Sequence, residues 1–150
     1  MTQLSNSPQA TNTPELIDTL LTNHGATWAV VGLTDSPERV AKSIAAFLQF
    51  ELGMNVIPVN RRREAVNGQR AFGRLAEIPH AIDVVHVFVN GEAAVGVVDE
   101  AIRKGVKNLW FQIGVDSPAA VDKALAAGLN VVVDTCPSIE GRMRSLGWRM

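Results

Sequence analysis

Two short stretches carry residues arranged for chemistry on an anion. In Gly32-Leu33-Thr34-Asp35-Ser36-Pro37 the glycine lets the backbone turn tightly and approach a ligand, and Thr34 adds a hydroxyl donor. A helix opening just beyond would present free N–H groups to the same ligand. In Asn60-Arg61-Arg62-Arg63 three guanidinium groups follow one another, a set suited to phosphate through charge-assisted and often bidentate bonds. Arg39 and Lys42, on the predicted helix after Gly32, add cations to the same end of the fold. The competing reading of each is structural: Gly32 merely closes a buried strand, and the arginines form a solvated charge run.

The missing features narrow the chemistry. The first stretch is not G-x-G-x-x-G, Pro37 removes one donor from the helix start, and no G-x-x-x-x-G-K-[ST] loop occurs. Folds that take NAD place an acid after the second strand, where this chain has Asn60 and the arginines. That pattern disfavours NAD and favours a phosphorylated ribose, as in NADP or coenzyme A. Cys136 is the sole cysteine, which excludes an internal disulfide and a clustered thiolate metal site. It reads either as a thiol facing the ligand, open to mixed-disulfide exchange, or as a small apolar residue in a buried turn. His24, His80 and His86 lack metal-ligand spacing, and His86, alternating with Val84 and Phe88, is expected to be a hydrogen-bonded histidine within a sheet. Gln112 is expected to brace a neighbouring loop and Asp83 to cap one. No Ser/His/Asp set, purposeful carboxylate pair or nucleophile elbow stands out.

The elements that position these residues follow a strand–helix alternation. Thr13-Pro14-Glu15 opens a short helix carrying Leu16, Ile17, Leu20 and Leu21, which Gly25 ends. Strands are predicted over 28–32, 55–59, 82–89, 107–113 and 129–133, each an apolar run suited to burial on both faces. Between them the pattern predicts a helix from Pro37, capped by Ser36 and burying Val40, Ile44, Phe47 and Leu48. It then predicts a turn of helix within 72–78 and helices over 92–104, 118–127 and 139–146. This alternation implies parallel βαβ units, hence an α/β Rossmann-like doubly wound sheet of about five parallel strands with helices on both faces. The strand order is expected to be 3-2-1-4-5.

With 150 residues, 47% of them hydrophobic and 19% charged, the chain suits one globular domain. Residues 1–13 read as a disordered leader without a signal-peptide core, and residues 14–150 as the domain. A net charge of −1 argues against non-specific nucleic-acid or membrane binding, and no apolar run reaches a membrane-spanning length. The cytoplasm is the default compartment.

Five segments in order, WAVVGLT (28–34), NVIPVN (55–60), DVVHVF (83–88), WFQIG (110–114) and VVVDTC (131–136), together resemble the small stand-alone CoA-binding proteins. Their domain is similar to the CoA-binding domain of the succinyl-CoA synthetase α subunit. The resemblance covers residues 15–147. It implies coenzyme A held along the loops after the first two strands. Gly32 and Thr34 would line the pyrophosphate, Val59 and Asn60 would border the adenosine with Arg61 or Arg62 near phosphate, and Val89 and Asn90 would form the opposite wall. Three positions depart from the family: Thr34 stands for serine, Arg61 for proline, and an aromatic near Lys42 is absent. The function so implied is binding of coenzyme A or an acyl-CoA by a non-catalytic sensing or carrier module, with Cys136 beside the crevice. The alternative is an NADP- or other nucleotide-dependent enzyme that needs a partner or a homodimer to complete its site.

Overall fold

In a computed structural model, which describes residues 11–36 and 39–146, the predicted strands pair in one parallel sheet. The strands are β1 (Thr27–Val31), β2 (Asn55–Val59), β3 (Val84–Val87), β4 (Asn108–Phe111) and β5 (Asn130–Val132). The helices are α1 (Pro14–Thr22), α2 (Val40–Ala46), α3 (Gly91–Arg103), α4 (Pro118–Ala126) and α5 (Pro137–Met143). Strand side chains alternate between two cores. Trp28, Val30, Val56, Val84, Trp110 and Val132 face α1 and α2. Ala29, Val31, Ile57, Val85, Leu109 and Phe111 face α3 and α4. Burial on both faces is why the strands read as unbroken apolar runs.

The strand order is β2-β1-β3-β4-β5, not 3-2-1-4-5. After β2 the chain recrosses β1 through a connection whose one helical turn is a 3-10 segment, Leu75–Glu77. Leu75, Ile78 and Ile82 of that connection cover the face over Ala29 and Val31, where a helix would otherwise lie. Alternation dictates parallel direction and handed crossovers, whereas the side on which a strand joins depends on such long-range packing.

Other boundaries move for local reasons. Helix α2 begins at Val40 with Arg39 at its cap, and Val40 is 62% exposed although Ile44, Phe47 and Leu48 are buried. Pro37 and Glu38, on which the earlier predicted start rests, lie outside the described residues. The helix widens into a π-helical turn over Phe47–Glu51, and Gly141 of α5 seats against the Phe47 ring. The expected leader is ordered at its end. Thr11 bridges to Val131, the Asn12 amide bonds both the N–H and C=O of Val133 at 2.7 Å, and Thr13 caps α1. These bonds cover the edge of β5, which would otherwise be open to pairing. Residues 1–10 of that leader lie outside the described residues.

Candidate functional site

With β2 on one side of β1 and β3 on the other, strand order reverses at β1/β3, and an open parallel sheet leaves its crevice there. A cavity of about 390 Å³ opens at the carboxyl ends of β1, β2 and β3. Gly32 lines it. Its φ is +98°, and a Cβ would sit 3.0 Å from Phe88 Cβ and 3.3 Å from Val89 Cγ1. Torsion and close approach thus both require glycine.

Val59 and Val89 supply apolar wall, as do Ala93 and Val97 one helical turn apart on α3. Arg39, Arg61 and Arg62 line the cavity, and among the described residues none of them pairs with a carboxylate. Glu64 is the one carboxylate on the wall, and it accepts from the Asp35 N–H at 3.4 Å. Three guanidinium groups against one carboxylate leave the mouth positive. Thr34 also lines it, with its hydroxyl accepting from the Ser36 N–H at 3.4 Å.

Several expected ligand contacts have other work. Arg63 sits in the left-handed region at φ +54° and donates two hydrogen bonds to the Glu77 carboxylate, at 3.2 and 2.6 Å. Those bonds from Arg63 hold the Glu77 carboxyl below its ordinary pKa. The guanidinium also lies under Gly73, where a Cβ would come within 3.0 Å of it. Asn60 is buried and spends its amide on the backbone, donating to Leu33 O (3.0 Å) and Glu64 O (2.9 Å) and accepting from the Glu64 N–H (2.8 Å). It lines the cavity as the clamp that ties the β1 loop to the β2 loop. Lys42 pairs with Asp35 at 2.7 Å and does not line the cavity. Leu33 is buried in the core.

Asn90 and Cys136 belong to a second groove, of about 380 Å³, on the other side of the Phe88–Asn90 segment. Asn90 Oδ1 accepts from the Asp116 N–H at 2.7 Å, joining two loops. Cys136 is buried, with Ser138 Oγ 3.2 Å from its sulfur. Burial pushes the thiol up, but hydrogen bonds from Ser138, Gln112 and the Ile139 N–H outweigh it, and its pKa falls below the ordinary thiol value. Gln112 Oε1 accepts from His86 Nε2 at 2.8 Å, which assigns the imidazole proton to Nε2. Burial drives the His86 pKa down to about 4, only partly opposed by Gln112. His86 is therefore neutral, and among the described residues its Nδ1 has no partner. Asp83 caps as expected, accepting from the Thr27 N–H at 2.8 Å.

Reasoning from the sequence missed Glu64, Gly73, Ala93 and Val97. The i, i+4 spacing of Ala93 and Val97 signals one helix face, but nothing local says that this face meets the crevice. Among the described residues no helix is long and apolar enough to cross a membrane, and no cluster of His, Cys, Asp and Glu is suited to a metal ion.

Comparison with known proteins identifies the family and the fold. Residues 26–142 match the family model described as the CoA binding domain. The uncharacterized protein YneT of Bacillus subtilis (strain 168) is 33% identical over 108 residues, 72% of this chain and 79% of that one. A solved structure, a hypothetical protein from Pyrococcus horikoshii OT3, is 34% identical with a TM-score of 0.81, covering 95% of this chain and 98% of that one. The acetate–CoA ligase (ADP-forming) II subunit alpha of Pyrococcus furiosus is 31% identical over 81 residues, 54% of this chain and 18% of the ligase subunit.

Proposed function

This chain belongs to the CoA binding domain family, and from that premise we propose that it binds coenzyme A or an acyl-CoA as a small module without chemistry of its own. The observation that carries the reading is the trio Arg39, Arg61 and Arg62, without a carboxylate partner among the described residues, around a cavity lined also by Val31, Val59, Val89 and Val97. Coenzyme A presents the matching chemistry: an adenine ring, a ribose phosphate and a pyrophosphate. The ring would lie against Val59 and Val89, the pyrophosphate near the bare backbone of Gly32 and the Thr34 hydroxyl, and the ribose phosphate within reach of Arg61 or Arg62. Asn60 would act at one remove, by holding the two loops in register. The ligase relative has CoA in its name and contains far more than this domain, so it supports the ligand and leaves its reaction to the rest of that subunit.

Thermal denaturation with coenzyme A, 3′-dephospho-coenzyme A, NADP, NAD and ATP in parallel tests the reading. A ligand at about 100 times its Kd stabilises the fold by about 2.7 kcal/mol, a rise in Tm of about 5–10 °C for a chain of this size. Coenzyme A is expected to give the largest rise and the dephospho form a smaller one. A rise with NADP and none with coenzyme A would overturn the proposal in favour of a nucleotide-dependent enzyme.

A further inference from the structure

The two cavities at the carboxyl end of the sheet differ sharply in charge. Arg39, Arg61 and Arg62 line the first, whereas among the described residues no charged side chain lines the second. The second is walled by Val40, Ile44, Phe88, Ile113, Val115 and Ile139, with the buried Gln112 and Cys136 alongside. Three of those apolar residues are left open to water: Val40 at 62%, Ile113 at 50% and Ile139 at 50% exposure. Ile113 lies two residues past the end of β4, and Ile139 lies on the first turn of α5. Single exposed apolar residues are ordinary, but several around one concave groove mark a site that an apolar group covers.

The grooves are continuous along the chain. Arg39 faces one and Val40 the other, and Phe88, Val89 and Asn90 alternate between them. A ligand lying over the Gly32–Val89 contact would therefore enter both. Its anionic end belongs with the arginines and an uncharged apolar end with Ile113 and Ile139. We infer that the second groove takes the acyl chain of an acyl-CoA thioester, and that the preferred ligand bears a short- to medium-length chain rather than a free thiol. This rests on the coenzyme A reading above. The neighbouring Gln112 amide and Cys136 thiol supply the polar contacts that a thioester, at the junction of chain and arm, retains.

The test is calorimetric titration with coenzyme A and its acetyl, butyryl, hexanoyl and octanoyl thioesters. A methylene moved fully out of water tightens binding about fourfold, so a half-open groove should give about two- to threefold per methylene. The gain should stop where the chain outgrows the groove. In the double variant Ile113→Asp, Ile139→Asp that gain should vanish. Phe50→Asp, an exposed apolar residue outside both cavities, should keep it. Hexanoyl-CoA binding within about twofold of acetyl-CoA, or a gain that survives in the double variant, would overturn the acyl groove while leaving coenzyme A binding intact. Failure of coenzyme A and every thioester alike to bind would overturn both.

Discussion

At the scale of single residues, the three consecutive arginines divide into two roles that no local rule separates. Arg61 and Arg62 line the cavity with no carboxylate partner among the described residues, while Arg63 turns through a left-handed backbone to clamp Glu77. Replacing Arg61 and Arg62 together by alanine should weaken coenzyme A binding at least tenfold, since each charge-assisted bond contributes about 1.5–3 kcal/mol. It should also flatten the salt dependence of affinity, because fewer charges remain to be screened. Arg63→Ala should leave affinity and salt dependence near those of the parent. Titrations at two ionic strengths decide the matter, and a loss in Arg63→Ala equal to that of the double variant would show that the cations act together. The same logic explains Lys42. Its side chain is at the same end of the molecule, but it is held in an ion pair with Asp35 at 2.7 Å. A cation's partner is chosen by what the fold brings alongside, so residue type alone named five candidates and geometry retained three.

At the scale of elements, the site depends on how α2 and α5 are seated, and glycine decides one of those contacts. A Cβ at Gly141 would lie 2.7 and 2.9 Å from two atoms of the buried Phe47 ring, on whose face the Arg142 guanidinium also stacks at 4.7 Å. Alanine in the middle of a helix normally gains about 1 kcal/mol over glycine. Here the overlap with a packed ring should reverse that sign, for a net loss of about 1–2 kcal/mol and a fall in Tm of about 2–8 °C. A rise in Tm for Gly141→Ala, measured by thermal denaturation, would mean that α5 does not pack on the π-helical turn. The element types were legible in the sequence because each strand is apolar on both faces and each helix repeats at its own period. The ends were less so. The predicted strand 107–113 stops at Phe111, where pairing with β3 ends at Val87↔Phe111, and Ile113 beyond it lines the second groove.

At the scale of the whole molecule, one buried group ties stability to pH. His86 is neutral in the folded sheet with a pKa near 4, against an ordinary value of 6.5. Between those values the unfolded chain holds a proton that the folded chain refuses, so stability falls as pH drops through that window. The slope contributed is up to about 1.4 kcal/mol for each pH unit. Denaturant unfolding of the parent and of His86→Gln between pH 4 and pH 6.5 should show the steeper decline in the parent. Parallel curves would mean that His86 is protonated without cost to the fold. This interior arrangement also marks where local reading ends. The sequence by itself determined a parallel α/β sheet, a glycine turn after β1 and an arginine loop after β2, because periodicity, glycine and charge are local properties of the chain. Tertiary structure alone decided the β2-β1-β3-β4-β5 order, the withdrawal of Arg63 and Lys42 into ion pairs, the clamp at Asn60 and the apolar groove beside Cys136. Apart from the Lys42–Asp35 pair, whose partners are close in sequence, those are contacts between separated segments, settled by packing that the chain finds only when folded.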